Sequence, residues 1–331
     1  MKVEILIGMP GSGKTTYSRD QKLYAENNGN FDVKVFSSDE YRDRLRLSNP
    51  EMDGKTLNTL VFDTLTTDIL VDIKNGQEDD LIIFDATNLN RRRRRFFYTL
   101  AKRKRPDCHV KAVIFFKTLA ESKFINEHRT ERTLPEDVLD KYYYNIQIPR
   151  IGADCDGIRG YNQFFFYAML EEHPSLWELA HVSKESLKIE IGSILDNTLE
   201  HDCPPHHLET VAEHIEMCLG NSFSIPNLEE IALFHDLGKA ITKKIGSDGR
   251  ARYLGHANVS AYYYLNYILG NGYSPDDLKE KYRNAECIFQ HMNGHQGMGE
   301  KNIKNNKIDH ETVARIELFA KIDSVSRRIG E

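Results

Sequence analysis

Residues 3–16 read VEILIGMPGSGKTT, and this stretch decides the fold of the first half of the chain. Its opening run, Val3–Ile7, is short, mostly apolar and rich in β-branched residues, which predicts a buried strand. A Gly-rich turn follows at once, and the residues after the turn have the character of a helix. We therefore expect the order strand, loop, helix.

The loop Gly8–Thr15 fits the pattern of a phosphate-binding P-loop. Glycines let the main-chain N–H groups turn inward around phosphate oxygens, and the N-terminus of the next helix adds positive potential. Lys14 is expected to reach the β- and γ-phosphates, and the Thr15 hydroxyl to bind Mg²⁺. A Gly-rich turn with a chance lysine is the alternative, which the strand and helix on either side disfavour. The residues assigned to ATP, or another nucleoside triphosphate, are Gly8, Gly11, Ser12, Gly13, Lys14, Thr15 and Thr16.

Further apolar runs repeat the alternation of strand and helix. Val33–Phe36, Leu81–Phe84 and Val110–Phe116 are compact and apolar, and helix-length stretches such as Thr56–Lys74 and Arg92–Arg105 lie between them. Strands that alternate with helices predict a parallel sheet covered by helices on both faces.

After Tyr161 the pattern changes to successive helical periods. Leu208–Leu219, Leu228–Phe234 and Thr312–Ile322 are examples. We expect an α/β domain over residues 1–168, a connecting segment at 169–192 around Pro174, and an all-α domain over 193–331.

Length and composition agree with two folded domains. The chain has 331 residues, of which 40 % are hydrophobic and 28 % charged, and it exceeds the usual size of one domain. Its five cysteines are scattered without the paired spacing of disulfides or thiolate zinc sites. No apolar run is long enough to cross a bilayer, and no signal-peptide pattern opens the chain. We expect a cytoplasmic protein without a membrane partner, and leave its oligomeric state open.

Two polar segments follow predicted strands, where the carboxyl ends of the strands should place them beside the phosphates. In the first, Asp39 is suited to accept a proton from an acceptor hydroxyl and Arg42, one turn later, to bind a phosphate. In the second, Asp85 could hold a Mg²⁺ water or fix Arg42. Each segment alone could equally be a helix cap or a strand end.

An arginine-rich loop, with Arg129 and Arg132, precedes Pro135, which should begin a new helix. Arginines on such a loop can close over a nucleotide and neutralise charge in the transition state. An isolated arginine pair in a polar loop is usually solvated instead.

Taken in this order, the segments over residues 1–150 resemble the phage-type polynucleotide 5′-kinase family. The resemblance implies that Asp39 is the general base, that Arg42 binds the acceptor phosphate, and that Arg129, with Arg132, binds ATP; Lys14 and Asp85 complete the implied catalytic set. Asp-Ala-Thr-Asn at Asp85–Asn88 is the most discriminating motif, because small-molecule P-loop kinases can share the first two motifs.

The net charge of −6 argues against indiscriminate coating of nucleic acid, but it hides a local excess. Residues 90–106 contain nine basic residues and no acidic one. This density fits a phosphodiester backbone of RNA or DNA as partner. A solvated helix face is the alternative for any single arginine in the run.

The helical half carries histidines and aspartates at the ends of apolar helical runs. His235 and Asp236 are adjacent and could ligate one cation, with further ligands from other helices. The candidate metal ligands are His214, His235, Asp236, His256, His291 and Asp323. His206, His207 and His295 are additional candidates that could orient substrate.

This set, over residues 193–331, resembles the HD phosphohydrolase superfamily, and most closely the HD module of CCA-adding tRNA nucleotidyltransferases. The resemblance implies that His214, His235, Asp236 and Asp323 are the primary ligands. It further implies that His256 and His291 hold a second metal or the phosphate, with one or two ions of Mn, Ni, Co, Zn or Fe. The implied reaction is attack of metal-activated water on phosphorus, with Lys239 neutralising charge.

Both resemblances together predict a bifunctional nucleic-acid end-healing enzyme. It would phosphorylate 5′-OH ends with ATP and Mg²⁺, and remove 2′,3′-cyclic, 2′- or 3′-phosphates. Bacterial end-healing enzymes join the same two activities, with the HD part first. A small-molecule kinase of the nucleoside or toxin type joined to a nucleotide phosphohydrolase, and a non-catalytic nucleotide sensor, are the alternatives.

Overall fold

The computed structural model describes residues 1–29, 31–130, 132–162, 179, 181–183, 186–195 and 208–328. They form two compact units: Met1–Phe116 with Ile151–Tyr161, and Lys117–Arg150 with the described residues from Asn162 onward. Most of the connecting segment expected at 169–192 lies outside the described residues, and the domain limits stay a prediction.

The first unit alternates strands and helices, as the apolar runs predicted. Its elements are β1 (Lys2–Ile7), α1 (Lys14–Asn28), β2 (Val33–Ser37), α2 (Ser38–Ser48), α3 (Gly54–Asn75), β3 (Leu81–Asp85), α4 (Arg91–Lys104), β4 (His109–Phe116) and β5 (Gly157–Asn162). The sequence did not predict β5, whereas α2 agrees with the helical spacing expected between Asp39 and Arg42.

The sheet has the strand order β2-β3-β1-β4-β5, and β1 pairs in parallel with both β3 and β4. β2 pairs in parallel with β3, which sets Ser37 beside Asp85. The expectation of a parallel sheet is therefore confirmed. Because parallel strands end at the same edge, the loops after β1, β2 and β3 share one rim of the sheet.

Helices cover both faces of this sheet. On one face Leu6, Val113 and Phe115 pack with Tyr17 of α1. On the other, Phe84 packs at ring-centroid distances of 6.5 Å from Phe62 of α3 and 5.1 Å from Phe97 of α4. Apolar side chains on both sides of the strands explain why their sequences are almost continuously hydrophobic.

The second unit is mostly helical. Its elements are α5 (Leu119–Glu127), α6 (Glu136–Tyr144), α7 (Leu187–Leu195), α8 (Val211–Ser222), α9 (Glu229–Phe234), α10 (Lys239–Thr242), β6 (Lys244–Ile245), β7 (Ala251–Arg252), α11 (His256–Gly270), α12 (Pro275–Gly294), α13 (Glu300–Asn306) and α14 (His310–Val325). Helix α11 is buried along almost its whole length and packs against α12, which also packs against α14.

The expectation of an all-α second half was wrong in one place. β6 and β7 pair antiparallel around a turn in which Gly249 has φ +74° and Gly246 donates its N–H to the carbonyl of Arg250. Asp248-Gly249 is a sequence pair typical of hairpin turns, because its glycine tolerates the left-handed backbone.

Among the described helices, none is long and apolar enough to cross a membrane. The cysteines in the described part of the chain, Cys108, Cys155, Cys218 and Cys287, are buried and form no disulfide.

Candidate active sites

The P-loop follows β1, and its lysine is held across it. Lys14 is buried, and its Nζ donates to the carbonyls of Gly8 at 3.1 Å and Met9 at 2.7 Å and to the hydroxyl of Ser12 at 3.3 Å. Gly11 and Gly13 have φ of +79° and +94°, which side chains disfavour. The motif therefore folds as a compact loop with its ammonium group fixed at the start of α1.

The first glycine is required by close packing. A Cβ at Gly8 would lie 2.6 Å from Ser12 Oγ and 3.0 Å from Phe115 Cβ. Its N–H donates to the carbonyl of Thr87 at 3.1 Å, which ties the loop to the end of β3. The other assigned nucleotide residues lie on the same loop and first helical turn: Thr15 and Thr16 are exposed and Ser12 is buried.

Thr15 and Asp85 are brought together at the rim of the sheet. The Thr15 hydroxyl donates to Asp85 Oδ2 at 3.1 Å, and Asp85 is 5 % exposed. Burial raises the pKa of Asp85, while the charge of Lys14 and the hydrogen bond from Thr15 oppose that rise. A hydroxyl next to a carboxylate is an oxygen pair of the kind Mg²⁺ prefers, so these residues fit the ion expected there.

Asp39 lies in the first turn of α2, immediately after β2. It is half exposed and forms an ion pair with Arg42, which also donates to Asn58 Oδ1 at 3.3 Å. The charge of Asp39 is one cause of the raised pKa of Asp85, as expected for neighbours at two adjacent strand ends. Of the two roles considered for Asp85, the contacts favour the one beside Thr15, since Arg42 is held by Asp39 and Asn58.

Asn88 is a positioning residue that sequence reasoning left without a role. It is buried with φ +45°, and its Nδ2 donates to the carbonyl of Leu6 at 2.9 Å. The turn after β3 is thereby fastened to the end of β1, directly before the P-loop. An asparagine closing Asp-x-Thr-Asn is the signal that could have identified it, because Asn tolerates the left-handed region.

The basic run of α4 divides into two sets. Arg91 and Arg94 are buried, and Arg94 donates to Asp154 at 2.8 Å and to the carbonyl of Asn88 at 2.7 Å. Since Asp154 is also fully buried, Arg94 is held in an internal ion pair and is not available to a phosphodiester backbone. The expectation that the whole run Arg91–Arg95 contacts nucleic acid is therefore wrong for these two residues.

The arginine loop, in the second unit, connects α5 to α6, as expected from Pro135. Both of its ends are fastened by Asn126, which donates to the carbonyl of Leu134 and accepts from its N–H, each at 2.8 Å. Arg129 is partly exposed and Arg132 is exposed with φ +56°. Their roles in binding ATP stay predictions.

In the second unit, the six expected metal ligands form one buried cluster, which we call the histidine–aspartate cluster: His214, His235, Asp236, His256, His291 and Asp323. They come from the ends and first turns of α8, α9, α11, α12 and α14. A capping box between Thr210 and Glu213 starts α8 one turn before His214. Gly238 allows close approach of α11, since a Cβ there would lie 2.2 Å from the carbonyl of His256.

Each histidine of the cluster is oriented by its Nδ1 atom. Nδ1 lies 2.7–2.9 Å from a main-chain carbonyl in all four: Ser326 for His214, Ala232 for His235, Tyr253 for His256 and Ile288 for His291. A carbonyl only accepts, so Nδ1 carries a proton, and in the neutral ring the lone pair is on Nε2. The Nε2 atoms then meet in pairs, 3.3 Å apart for His214 and His235 and 3.2 Å apart for His256 and His291.

Asp236 lies between the two histidine pairs. Its Oδ2 is 3.4 Å from His235 Nε2 and 3.7 Å from His214 Nε2, and its Oδ1 is 3.4 Å from His256 Nε2 and 3.7 Å from His291 Nε2. One carboxylate oxygen thus faces each pair. Two imidazole lone pairs and a carboxylate oxygen on each side fit a divalent transition metal by donor type.

Three further side chains complete the surroundings of this cluster. Lys239 Nζ donates to Asp236 Oδ2 at 2.6 Å, and His295 Nε2 lies 2.7 Å from Asp323 Oδ2. Cys218, one turn after His214, was not expected at the site, although the i, i+4 spacing on α8 could have indicated it. His206 and His207 lie outside the described residues.

The protonation states of the two histidine pairs differ. Burial alone would lower the pKa of His214, but hydrogen bonds to Asp323 and Cys218 and the charge of Asp236 raise it to about 9. Burial, with repulsion from His256, lowers the pKa of His291 to about 3. At neutral pH, His291 is therefore free to ligate, whereas His214 holds a proton that a metal ion must displace.

For this reason we expect the metal affinity to decrease as the pH is lowered. Below about pH 9, binding of Zn²⁺ must release the proton of His214, and also that of His235, whose pKa, despite burial, is raised by Asp236. The affinity should therefore drop at least about tenfold for each pH unit lost. Titration against a competing chelator between pH 6.5 and 8.5, with proton release followed in weak buffer, measures both quantities. Affinity that does not change over this range would contradict the expectation.

Comparison with known proteins adds a family match for the first half. Residues 3–149 match the family model described as an AAA domain, a range that runs through the arginine loop. A gluconokinase from Sinorhizobium meliloti 1021 is similar with a TM-score of 0.33 and 13 % identity, over 51 % of this chain and 86 % of that one. No curated protein matches the chain. The match covers the P-loop, a motif that binds nucleoside triphosphates such as ATP, and the described residues that follow the matched range are mostly helical.

Proposed function

We propose that the chain is a bifunctional enzyme that heals nucleic-acid ends. Its P-loop domain would transfer the γ-phosphoryl group of ATP to a 5′-hydroxyl, and its helical domain would remove a phosphate from the opposing end. One observation carries the proposal: the same chain holds a triphosphate loop beside Asp39 and a separate histidine–aspartate cluster suited to phosphate hydrolysis.

In the kinase half, the residues divide into binding and proton transfer. The main-chain amides of the P-loop would bind the phosphates, with Lys14 next to the β- and γ-phosphates. Asp39 would accept the proton of the attacking hydroxyl, while Arg42, already its ion-pair partner, would bind the acceptor phosphate. Mg²⁺ between Thr15 and Asp85 would neutralise charge on the phosphates. Arg129 and Arg132, on the loop between α5 and α6, would bind the phosphates of ATP.

A stripe on α4 favours a polynucleotide over a small acceptor. Arg92, Phe96, Thr99 and Arg103 are spaced four, three and four residues apart, so they lie on one helix face, and all four are exposed. Phe96 leaves 63 % of its surface in water, which is unusual for phenylalanine. An exposed ring between two cations suits a single strand, whose bases stack and whose phosphates pair. We call these four residues the α4 stripe.

In the hydrolase half, the cluster would hold one or two divalent ions, which supply Lewis-acid activation of water and neutralise phosphoryl charge when bound. Asp236 would hold both histidine pairs in register, since each of its oxygens faces one pair. Lys239, on Asp236, would add positive charge next to the phosphate. His295 would orient Asp323 through their hydrogen bond.

The two activities complement each other chemically. Transesterification of RNA leaves a 5′-hydroxyl and a 2′,3′-cyclic phosphate or its opened monoester, and neither end can be ligated. Phosphorylation of the first and dephosphorylation of the second would give a 5′-phosphate and a 3′-hydroxyl. The competing proposal, a small-molecule kinase joined to a nucleotide phosphohydrolase, has no use for the α4 stripe.

Transfer of radiolabel from ATP decides between these two. We expect label on a 5′-OH oligonucleotide and little on free nucleosides, and Phe96→Ala should reduce oligonucleotide labelling about tenfold through KM, because base stacking on an aromatic ring contributes about 1–3 kcal/mol. Tyr24→Ala, which removes another exposed ring from the same unit, is the matched control. Labelling of nucleosides but not oligonucleotides would favour the competing proposal.

A further inference from the structure

Cys218 lies within the histidine–aspartate cluster. It is fully buried on α8, one turn after His214, and its Sγ is 3.6 Å from His214 Nε2. This nitrogen is the one that carries the lone pair once the ring is neutral, because Nδ1 of the same ring donates to the carbonyl of Ser326. With His235 and Asp323, Cys218 offers ligand atoms that all lie within 4.8 Å of one another.

The spacing of these atoms is that of ligands around one ion. Zinc binds nitrogen at about 2.0–2.1 Å and sulfur at about 2.3 Å in tetrahedral geometry, which separates two nitrogens by about 3.4 Å and a nitrogen from a sulfur by about 3.6 Å. The observed separations are 3.3 Å between the Nε2 atoms of His214 and His235 and 3.6 Å from His214 Nε2 to Cys218 Sγ. The side chains are therefore already arranged at ligand distances.

Packing alone does not account for this cysteine. Cys287, which is equally buried, has its Sγ 3.9 Å from the carbonyl of Thr312 and belongs to none of the possible metal-binding clusters among the described residues. The sulfur of Cys218 instead lies next to His214 Nε2. The same nitrogen is 3.0 Å from Asp323 Oδ1. Among the described residues, the clusters able to hold a metal contain sulfur only at this position.

We propose that Cys218 is a metal ligand together with His214, His235 and Asp323, at the site that Asp236 Oδ2 also faces. The proposal rests on the metal centre of the proposed function and adds a thiolate to it. A thiolate selects soft or borderline ions, so this position would take zinc, iron or cobalt in preference to manganese or magnesium. The other group, Asp236 with His256 and His291, has nitrogen and oxygen donors alone.

Cobalt replacement tests the proposal on the full chain. Metal-free protein titrated with Co²⁺ should develop visible d–d bands together with a near-ultraviolet sulfur-to-cobalt charge-transfer band. In Cys218→Ser the visible bands should persist, the charge-transfer band should disappear, and Co²⁺ affinity should fall at least about tenfold. Cys287→Ser, the control variant, should keep both features.

The outcomes distinguish failure of the thiolate ligand from failure of the whole metal centre. Two results would contradict a thiolate ligand but not the metal centre. In the first, the unmodified chain shows visible bands without a charge-transfer band; in the second, the charge-transfer band persists in Cys218→Ser. Absence of d–d bands in the unmodified chain would overturn both. If Cys218→Ser does not fold, X-ray absorption of the zinc-loaded unmodified chain decides, because sulfur scattering at about 2.3 Å must be present.

Discussion

Lys14→Ala is expected to reduce phosphoryl transfer from ATP by about 10²- to 10³-fold, the usual loss when one fixed cation or donor is removed from a charge-stabilising site. The ammonium group of Lys14 is buried and fixed by the carbonyls of Gly8 and Met9. It is therefore already positioned over the loop, and it needs only to exchange one of these hydrogen bonds to meet the negative charge of the β- and γ-phosphates. Radiolabel transfer to a 5′-OH oligonucleotide measures the loss.

The same variant should release phosphate from 3′- or 2′,3′-cyclic ends at the unmodified rate. Lys22→Ala, which removes an exposed lysine from the same helix, is the matched control and should leave both activities unchanged. Circular dichroism checks that loss of the buried ammonium has not unfolded the loop. Asp39→Ala should behave like Lys14→Ala, and a fully active Asp39→Ala would contradict its role as the base.

The P-loop in the first half of the molecule could be predicted from the sequence because the residues that determine its geometry are adjacent in the chain. Gly8–Thr15 contains both the glycines that permit its turns and the lysine that closes it, so adjacent residues determine the geometry. The order of the strands in the sheet could not be predicted in the same way. It places β3 and β4 on either side of β1, a choice made by packing between segments far apart in the chain.

The density of basic residues in α4 gave a wrong prediction for those arginines that are buried. Five arginines in succession indicated a uniform basic face, yet Arg94 is buried against Asp154, sixty residues later. No pattern near Arg94 points to that partner. The exposed residues Arg92, Phe96 and Arg103, in contrast, follow from helical spacing once α4 is known.

The histidine–aspartate cluster shows what motif spacing can and cannot supply. Six ligands were identified from the ends of apolar helical runs, and the structure brings all six together. Which atoms face one another depends on main-chain carbonyls such as that of Ser326, which no sequence pattern encodes. Cys218 was passed over because its thiol lacked the paired spacing of a zinc motif.

Asp236→Asn is expected to abolish phosphate release while leaving 5′ phosphorylation within about twofold. The amide keeps the shape of the carboxylate but loses the charge that both histidine pairs and Lys239 face. Loss of several kcal/mol of metal-derived stabilisation corresponds to a decrease of about 10³-fold or more. His235→Ala should give the same result, because it removes a ligand atom 3.3 Å from His214 Nε2.

Metal content distinguishes a lost site from a lost fold in these variants. Both should bind fewer equivalents of Zn²⁺ than the unmodified chain, whereas Asp248→Asn and His310→Ala, which alter exposed residues of the same unit, should bind the full number. Because Lys14 and Asp236 are assigned to different reactions, each single change should remove one activity. If either Lys14→Ala or Asp236→Asn, correctly folded, lost both, the two reactions would share a site and the assignment of separate chemistry would be wrong.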